Sequence, residues 1–257
     1  MTDDVLIERD DGVLVITFNR PEKKNALTRA MYEAAANALE AAENDPLVRC
    51  VLFQGAGDCF TAGNDLGDFA AANRGDDGDR PRGGSGLIRA LGRGTKPYVA
   101  AAHGVAIGVG ATMLLHCELV FVADDARIST PFVNLALAPE AASSMLLPAR
   151  IGHARAFAMF ALGEPVLGDQ AVAWGLANAA HPAAEVKGKA LAAAKTLAKK
   201  PLGSLIITKR LMREGEKIMA QMDAEIGHFT ERLKSAEAAE AFAAFRERRA
   251  PDFTKVA

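Results

Sequence analysis

The sequence predicts an α/β fold. Over the first part of the chain, short runs of branched and aromatic residues alternate with longer alanine-rich segments, which is typical of strands packed against helices. Near residue 200 the strand-like runs stop and helical patterns follow one another. A chain of 257 residues has the length of one α/β unit with an appended helical piece. We therefore predict a core over residues 1–200 and a C-terminal helical segment over residues 201–257.

The first elements are a hairpin, a helix and a further strand. Val5 to Arg9 and Val13 to Phe18 are β-rich runs, separated by the turn-forming residues 10–12 (Asp-Asp-Gly). Thr28 is the expected N-cap of an alanine-rich helix in which apolar residues recur at helical spacing. Val48 to Gln54 is the next strand. It runs into a glycine-bearing loop, a common place for a ligand site in α/β proteins.

Composition and charge exclude several classes of protein. A hydrophobic content of 50% and a charged content of 24% are those of an ordinary globular chain and not of a disordered one. A net charge of −2 gives no general attraction to nucleic acid or to an acidic membrane surface. No apolar run reaches the ~18 residues that a bilayer span requires. We expect neither nucleic acid nor a membrane as a partner.

The cysteines and the chain ends indicate a compartment. Cys50, Cys59 and Cys117 are odd in number, lack paired spacing and lie among apolar residues, so we expect buried free thiols in a reducing compartment. The N-terminus is acidic where a secretion signal is basic. The last residues, Phe-Thr-Lys-Val-Ala, differ from a Ser-Lys-Leu peroxisomal tail. The expected location is the cytoplasm.

Residues 71–86 (AANRGDDGDRPRGGSG) have almost no apolar content and are rich in glycine and charge. Such a composition cannot bury a core and favours a mobile segment. Because strand and helix patterns of the same kind resume after it, we interpret it as an active-site loop inside one domain. A linker between domains is the alternative.

A glycine run follows at Gly104, Gly108 and Gly110. Its spacing does not match the G-x-G-x-x-G dinucleotide fingerprint, and no Gly-Lys-Ser/Thr phosphate loop follows it. These glycines do allow the backbone to approach a ligand closely at the start of a helix, where unpaired N–H groups stabilise a developing negative oxygen. Helix packing alone would also use small residues here.

The stretch from Ser129 to Pro148 contains a single ionisable side chain, Glu140, among apolar and small residues. Burial in such surroundings raises the pKa of a carboxyl group towards neutrality, where a general base works best. The alternative is structural, because Pro139 and Glu140 could open a helix and acidic residues favour that end. The composition of the stretch leaves both interpretations open.

The rest of the chain is predicted to be helical. The expected helices are residues 153–162, 170–177 with Asp169 as N-cap, 183–199, 202–213, and a last pair from residue 215 onwards. Ile218, Met222, Ile226 and Phe229 form an apolar stripe at spacings of four, four and three. Such a stripe is typical of helix packing or of a subunit interface.

Four motifs together resemble the enoyl-CoA hydratase/isomerase (crotonase) superfamily. They are residues 19–27 (Asn-Arg-Pro and, four residues on, Asn-Ala-Leu), 60–66 (FTAGNDL), 103–110 and 131–148. The resemblance covers nearly the whole chain. It implies a spiral of repeated ββα units followed by a helical trimerisation segment. It also implies a coenzyme A thioester as ligand and homotrimers, often paired into hexamers, with no metal or separate cofactor.

By motif position, the resemblance assigns an oxyanion hole to the backbone N–H groups of Asn64 and Val109. Nearby residues are implied to contact substrate, namely Ala62, Gly63, Asp65, Leu66, Gly108 and Phe132. Three lysines lie where family members often place contacts to the phosphates or adenine of coenzyme A, namely Lys23, Lys24 and Lys255. Each of these contacts has an alternative. Exposed lysines also serve solubility, and Asp65 could instead order its loop by local hydrogen bonds. Phe132 and Met145 could line the acyl channel or simply pack in the core.

The departures from the family pattern bear on the reaction. Hydratases of the superfamily use two glutamates, and those positions match Thr112 and Phe132 here, neither of which can shuttle a proton. Four other stretches instead resemble the peroxisomal-type delta(3)-delta(2)-enoyl-CoA isomerase branch, in which a single glutamate is the base; they are residues 63–66, 130–132, 135 and 139–144. That glutamate corresponds to Glu140. The resemblance therefore implies a 1,3-proton shift that converts a 3-enoyl-CoA into the trans-2-enoyl-CoA, as in fatty acid β-oxidation.

Three alternatives stay open. The first is a hydratase that uses Glu140 and a bound water, and the second is another crotonase-fold reaction such as thioester hydrolysis, since an oxyanion hole serves many acyl reactions. The third is a non-catalytic acyl-CoA-binding paralogue, which would have no use for a costly buried carboxylate. His103 and His116 are expected to be structural, because no Ser or Cys nucleophile pattern accompanies them.

Overall fold

The structure is a computed structural model in which residues 3–65, 67 and 85–256 are described. Most of the predicted active-site loop, residues 71–84, lies outside the described residues. The same holds for the predicted substrate contact Leu66.

Two sheets form the centre of the described chain. Their strands are β1 Val5–Asp10, β2 Val13–Phe18, β3 Cys50–Gly55, β4 Tyr98–Ala102, β5 Val105–Ile107, β6 Leu119–Ala123, β7 Arg127–Ser129, β8 Val166–Leu167 and β9 Ala179–His181. The larger sheet has the order β1-β2-β3-β4-β6-β9, and the smaller sheet has the order β5-β7-β8. In the larger sheet β1 is antiparallel to β2 and the other neighbours are parallel.

Helices cover these sheets and form the C-terminal part. They are α1 Arg29–Asn44, α2 Ser85–Arg93, α3 Val109–Thr112, α4 Ser143–Ile151, α5 His153–Leu162, α6 Gly168–Trp174, α7 Ala183–Ala198, α8 Leu202–Met212, α9 Gly215–Leu233 and α10 Ala236–Glu247. Short 3₁₀ segments lie at Pro21–Lys23, Met113–His116, Val133–Leu135 and Phe253–Lys255. The predicted α/β class with a helical C-terminal part is confirmed, whereas the boundary at residue 200 stays a prediction.

Local sequence signals account for the first elements. Asp10 pairs with Val13, which leaves Asp11 and Gly12 as a two-residue turn with φ values of 49° and 81°. Positive φ at both positions is the type I′ geometry that matches the twist of a hairpin. Thr28 caps α1, because its side chain accepts a hydrogen bond from the N–H of Met31. The hairpin and this cap were both predicted.

The core lies between the larger sheet and the helices that pack on it. All the residues of β2 and β4 are buried, as expected for strands covered on both faces. Helix α7 packs across β3, β4 and β6, and its buried residues, Val186, Ala190, Ala194 and Ala198, recur every fourth position. Cys50, Cys59 and Cys117 are buried and free, as predicted.

One predicted helix start is wrong. Asp169 is not an N-cap, because α6 begins at Gly168 after the N-cap Leu167 and Asp169 lies in the first turn, where an acidic group is also favourable. Helix α4 begins at Ser143, three residues after Glu140, and contains Pro148. Proline removes one helical hydrogen bond, and burial of Leu147 and Ile151 on the same helix compensates for it.

The apolar stripe at residues 218, 222, 226 and 229 packs against other parts of the same chain. On α9, Ile218 and Met222 form one apolar cluster with Ala142, and Phe229 forms a second with Phe132 and Leu137. Of the two interpretations left open for this stripe, helix packing is therefore the one observed. The same contacts fasten α9 to the segment that carries Glu140. No helix in the described part of the chain combines the length and apolarity that a bilayer crossing requires.

Candidate active site

The two backbone segments that the sequence assigns to an oxyanion hole run side by side. Thr61 forms a parallel bridge with Ala106, and the N–H of Ile107 donates to the carbonyl of Thr61 at 3.1 Å. Gly63 is packed against Ile107 and Gly108, and Asn64 and Val109 are the residues that follow this contact on the two segments. Convergence of their N–H groups on one small acceptor stays a prediction.

Glycines make this close approach possible. Gly63 has φ +88°, and a Cβ atom there would lie 2.6 Å from the carbonyl oxygen of Ile107. Gly108, the N-cap of α3, has φ 56° and ψ −118°, which L residues rarely adopt. A Cβ atom at Gly110 would lie 2.6 Å from the Cγ2 atom of Thr61. The glycine run predicted to allow a close backbone approach therefore does so between two protein segments.

The N–H groups of Asn64 and Val109 are available for a ligand. Within the described part of the chain, neither group has a hydrogen-bond acceptor. Val109 is the first residue of α3, where backbone N–H groups carry positive partial charge and lack helical partners. Two such donors can stabilise an oxyanion, and their assignment as an oxyanion hole stays a prediction.

Glu140 lies beside this helix as a buried carboxyl group. It is 4% exposed, and its Oε1 atom accepts a hydrogen bond from Thr112 Oγ1 at 2.6 Å. Its Oε2 atom has no hydrogen-bond partner among the described residues. Burial raises the pKa of Glu140 from 4.5 to about 7, opposed by the Thr112 hydrogen bond and assisted by the negative charge of Glu225. Glu140 precedes α4 by three residues, so it is not a first-turn acid of that helix.

A tight turn directs Glu140 towards Thr112. Ala141 and Ala142 have φ values of 62° and 56°, in the left-handed region that non-glycine residues seldom adopt. His116 holds this turn from one side, because its Nε2 atom hydrogen-bonds to the carbonyl of Ala141 at 2.8 Å. Burial and the neighbouring Arg213 lower the pKa of His116 well below its usual value. The imidazole is therefore neutral and structural, as expected.

His103 is also held by the backbone. Its Nε2 atom lies 2.9 Å from the carbonyl oxygen of Gly57, and burial lowers its pKa. This contact agrees with the structural role expected of it.

Glu140 borders a small, mostly apolar cavity between α2 and α9. Glu140 and Ala141 line a cavity of ≈ 20 Å³ together with Ile88, Arg89, Met222 and Ile226. That volume is about enough for one water molecule. Arg89 makes an ion pair with Asp223 of α9, so its charge is partly compensated.

The three predicted coenzyme A lysines occupy exposed positions. Lys24 is paired with Asp58 at 2.5 Å, and Lys255 is paired with Asp252 at 2.8 Å. The carbonyl of Lys24 accepts a hydrogen bond from Ala62 N–H at 2.9 Å. This bond joins the loop that carries Lys23 and Lys24 to the Asn64 segment. Contacts of the lysines and of Ala62 with a ligand stay predictions.

Two predicted substrate contacts have structural partners. Asp65 accepts hydrogen bonds from Arg20 at 2.8 Å and from the N–H of Gly67 at 2.9 Å, which supports its expected role in ordering the loop. Phe132 is buried against Leu137 and Phe229. The described contacts of Phe132 are thus those of core packing, and a role for it in an acyl channel stays a prediction.

Sequence analysis missed two buried polar residues at the site. Tyr32 of α1 donates to the side-chain oxygen of Asn64 at 2.7 Å. Glu225 of α9 is 5% exposed and accepts a hydrogen bond from Ser144 N–H at 3.0 Å. A signal for Glu225 was present, because it lies between Met222 and Phe229 on the buried stripe, where a carboxylate is out of place. Among the described residues, no three His, Cys, Asp or Glu side chains converge to hold a metal ion.

Comparisons with known proteins place the chain in a family. Residues 8–256 match the family model described as Enoyl-CoA hydratase/isomerase. The chain belongs to this enzyme family, which confirms the resemblance found in the motifs.

Named relatives and a solved structure agree with this assignment. Enoyl-CoA delta isomerase 2 of Rattus norvegicus is 37% identical over 216 residues, which are 83% of this chain and 55% of that protein. The chain thus spans about half the length of that relative. 1,2-Epoxyphenylacetyl-CoA isomerase of Escherichia coli (strain K12) is 32% identical over 260 residues, 99% of each chain. The crystal structure of an enoyl-CoA hydratase/isomerase from Pseudoalteromonas atlantica T6c superposes with a TM-score of 0.92 at 39% identity, covering 98% of this chain and 100% of that one. The predicted crotonase-type fold is confirmed.

The raised pKa of Glu140 makes a prediction about stability. The folded protein holds this proton up to about pH 7, whereas the unfolded chain releases it near pH 4.5, so wild-type stability falls as the pH rises between these values. The Glu140→Gln variant has no carboxyl group at this position, so its stability does not decrease in this way as the pH rises. Its free energy of unfolding relative to wild type should therefore increase from pH 5 to pH 8, by up to about 3 kcal/mol at ~1.4 kcal/mol per pKa unit.

Urea unfolding at several pH values measures this difference. Glu216→Gln, the same chemical change at an exposed position of α9, is the control and should show no such trend. A constant difference between Glu140→Gln and wild type across this pH range would contradict the raised pKa.

Proposed function

We propose that this chain is an enoyl-CoA isomerase that converts a 3-enoyl-CoA into the trans-2-enoyl-CoA in fatty acid metabolism. One observation carries the proposal. Glu140 is buried and hydrogen-bonded to Thr112, which occupies one of the two positions assigned by the resemblance to the hydratase glutamates. A single carboxyl group is thus left to move protons. An acyl-CoA substrate follows from the family, and the isomerases among its relatives support the reaction.

The reaction needs one base and one place for negative charge. Glu140 removes a proton from C2 of the substrate, and the electron pair of that C–H bond moves into the thioester, so that a dienolate forms. The N–H groups of Asn64 and Val109 stabilise the negative oxygen. Glu140 then returns the proton to C4 while the C3–C4 double bond shifts to C2–C3, and the carboxylate is regenerated without any other reactant.

The environment of Glu140 supports this dual role. A pKa of about 7 leaves comparable amounts of acid and base at neutral pH, which suits a group that accepts and then donates the same proton. The hydrogen bond from Thr112 fixes Oε1. The Oε2 atom, which lacks a partner among the described residues, is then the oxygen that can face C2 and C4.

Hydration is the second candidate function. The cavity of ≈ 20 Å³ that Glu140 lines is about large enough for one water, and Glu140 could activate that water for addition to a 2-enoyl-CoA. Hydration also requires a proton for the neighbouring carbon, and Thr112 and Phe132 offer no second carboxyl group for this step. Isomerisation is therefore the better supported reaction.

The proposed assembly is a homotrimer or a hexamer, and the proposed location is the cytoplasm. Large exposed apolar side chains support assembly, among them Phe157, Leu162, Leu211 and Met212. The free buried cysteines support a reducing compartment.

Replacement of Glu140 tests the base directly. Glu140→Gln keeps the size and hydrogen-bonding shape of the side chain but cannot accept the C2 proton, so kcat with a medium-chain 3-enoyl-CoA should fall by about 10²–10⁴-fold. The assay is run beside the matching 2-enoyl-CoA, for which little 3-hydroxyacyl-CoA is expected. Near-full turnover by Glu140→Gln would contradict the assignment of the base. Efficient hydration by wild type would contradict the choice of reaction.

The oxyanion hole can be tested by deleting one N–H group. Val109 is the first residue of α3, a position where proline is compatible with a helix, so Val109→Pro removes the N–H group and keeps a helical φ. Its kcat should fall by about 10²–10³-fold. Val109→Ala, which keeps the N–H, should retain activity, and circular dichroism should show that both variants fold. Equal activity of the two variants would exclude this N–H from the oxyanion hole.

A further inference from the structure

A second buried carboxylate holds the backbone that carries Glu140. Glu225 of α9 is 5% exposed, and its Oε1 atom accepts hydrogen bonds from both the N–H, at 3.0 Å, and the hydroxyl of Ser144. Gln221, one turn earlier on α9, donates to the Ser144 hydroxyl at 2.9 Å. Ser144 is the second residue of α4 and follows Glu140 by four positions. A side chain of the C-terminal helix therefore fixes the exit of the Glu140 turn.

This turn needs external support. Its two left-handed alanines, Ala141 and Ala142, each cost free energy, since non-glycine residues avoid that region and persist there only when their surroundings hold them. His116 holds the carbonyl of Ala141, and Glu225 holds the N–H of Ser144. The turn is thus fixed at two points by two different parts of the fold.

The hydrogen bonds of Glu225 favour its charged form. Burial raises the pKa of Glu225, and hydrogen bonds from the Ser144 side chain and backbone, from Ala142 N–H and from Gln221 oppose that rise. Glu140, by contrast, receives one hydrogen bond, from Thr112, and its pKa is raised both by burial and by the charge of Glu225. The charged form is therefore better supported by hydrogen bonds at Glu225 than at Glu140.

The other ionisable groups around Glu140 are neutral or paired. Tyr32 of α1 has a pKa raised well above 10 by burial and by Glu140, so it stays neutral. His116 is neutral at the turn, as described above. Arg89 of α2 lines the same cavity but is paired with Asp223 of α9. Glu225 is therefore the charge with the most direct influence on Glu140.

We propose that Glu225 is a positioning residue that acts through Ser144 to aim Glu140, and that its negative charge also acts on the Glu140 carboxyl group. Helix α9 then contributes, together with burial, to the pH at which the base works. This inference rests on the proposed function for its catalytic consequence. The effect of Glu225 on the protonation of Glu140 does not depend on that function, and it can be measured by titration in the absence of substrate.

The two roles of Glu225 are separated by two substitutions. Glu225→Gln keeps an oxygen that accepts from Ser144 but removes the charge, whereas Glu225→Ala removes both. The pKa of Glu140 is read by ¹³C NMR of the carboxyl groups in protein labelled with ¹³C-glutamate, with its signal assigned by its loss in Glu140→Gln. The pH profile of kcat with a 3-enoyl-CoA is measured on the same variants.

For Glu225→Gln, the pKa of Glu140 and the acidic limb of the kcat profile should both move down by about one unit, as expected on removal of a like charge. Activity on the alkaline side should be retained. For Glu225→Ala, the same shift should be accompanied by a fall in kcat of about 10–100-fold at every pH, with KM little changed, because the base is no longer held in place. Glu216→Gln, exposed on the same helix, should change neither the NMR titration nor the profile.

An unchanged Glu140 titration in Glu225→Gln would overturn the electrostatic role. Wild-type kcat in a folded Glu225→Ala variant would overturn the positioning role. These failures differ from failure of the proposed function, which would appear as full activity of Glu140→Gln whatever the NMR titration shows.

Discussion

Burial of the Glu140 carboxyl group is the constraint on which the rest of the site depends. A carboxylate in water has a pKa far below neutrality and is a weak base, and withdrawal from water raises that pKa. Here the apolar surroundings bring it to about 7, while Thr112 supplies one hydrogen bond that keeps one oxygen in place. By the resemblance, Thr112 occupies a position where hydratases of the superfamily have a glutamate, and here it donates a hydrogen bond to Glu140.

Several features of this site cost free energy of folding. A buried carboxyl group, a left-handed pair of alanines and two backbone segments in close contact are each unfavourable by themselves. Packing elsewhere compensates for them. The apolar stripe of α9 anchors the 132–146 segment through Phe132 and Ala142, and the fully buried strands β2 and β4 provide the rigid core. Helix α9 is therefore part of the site's support.

Local patterns made part of this structure predictable from the sequence. The hairpin and the cap at Thr28 depend on neighbouring residues, and Glu140 was conspicuous as a lone charge in an apolar stretch. The continuation of α4 through Pro148 was not predictable, because tertiary packing outweighs the local preference of proline. The contacts of Tyr32 with Asn64 and of Glu225 with Ser144 join residues 32 and 81 positions apart. Spacing in the sequence does not specify such contacts.

The central claim is that a single buried carboxyl group carries one proton from C2 to C4. The most direct measurement uses a 3-enoyl-CoA labelled with deuterium at C2, converted in ordinary water, with the product analysed for deuterium at C4. Because Glu140 is 4% exposed, it should return much of the deuterium before exchange with solvent, and the account predicts substantial label at C4. Complete replacement of the label by solvent hydrogen at C4 would mean that another group or water supplies this proton, and would contradict the single-base mechanism.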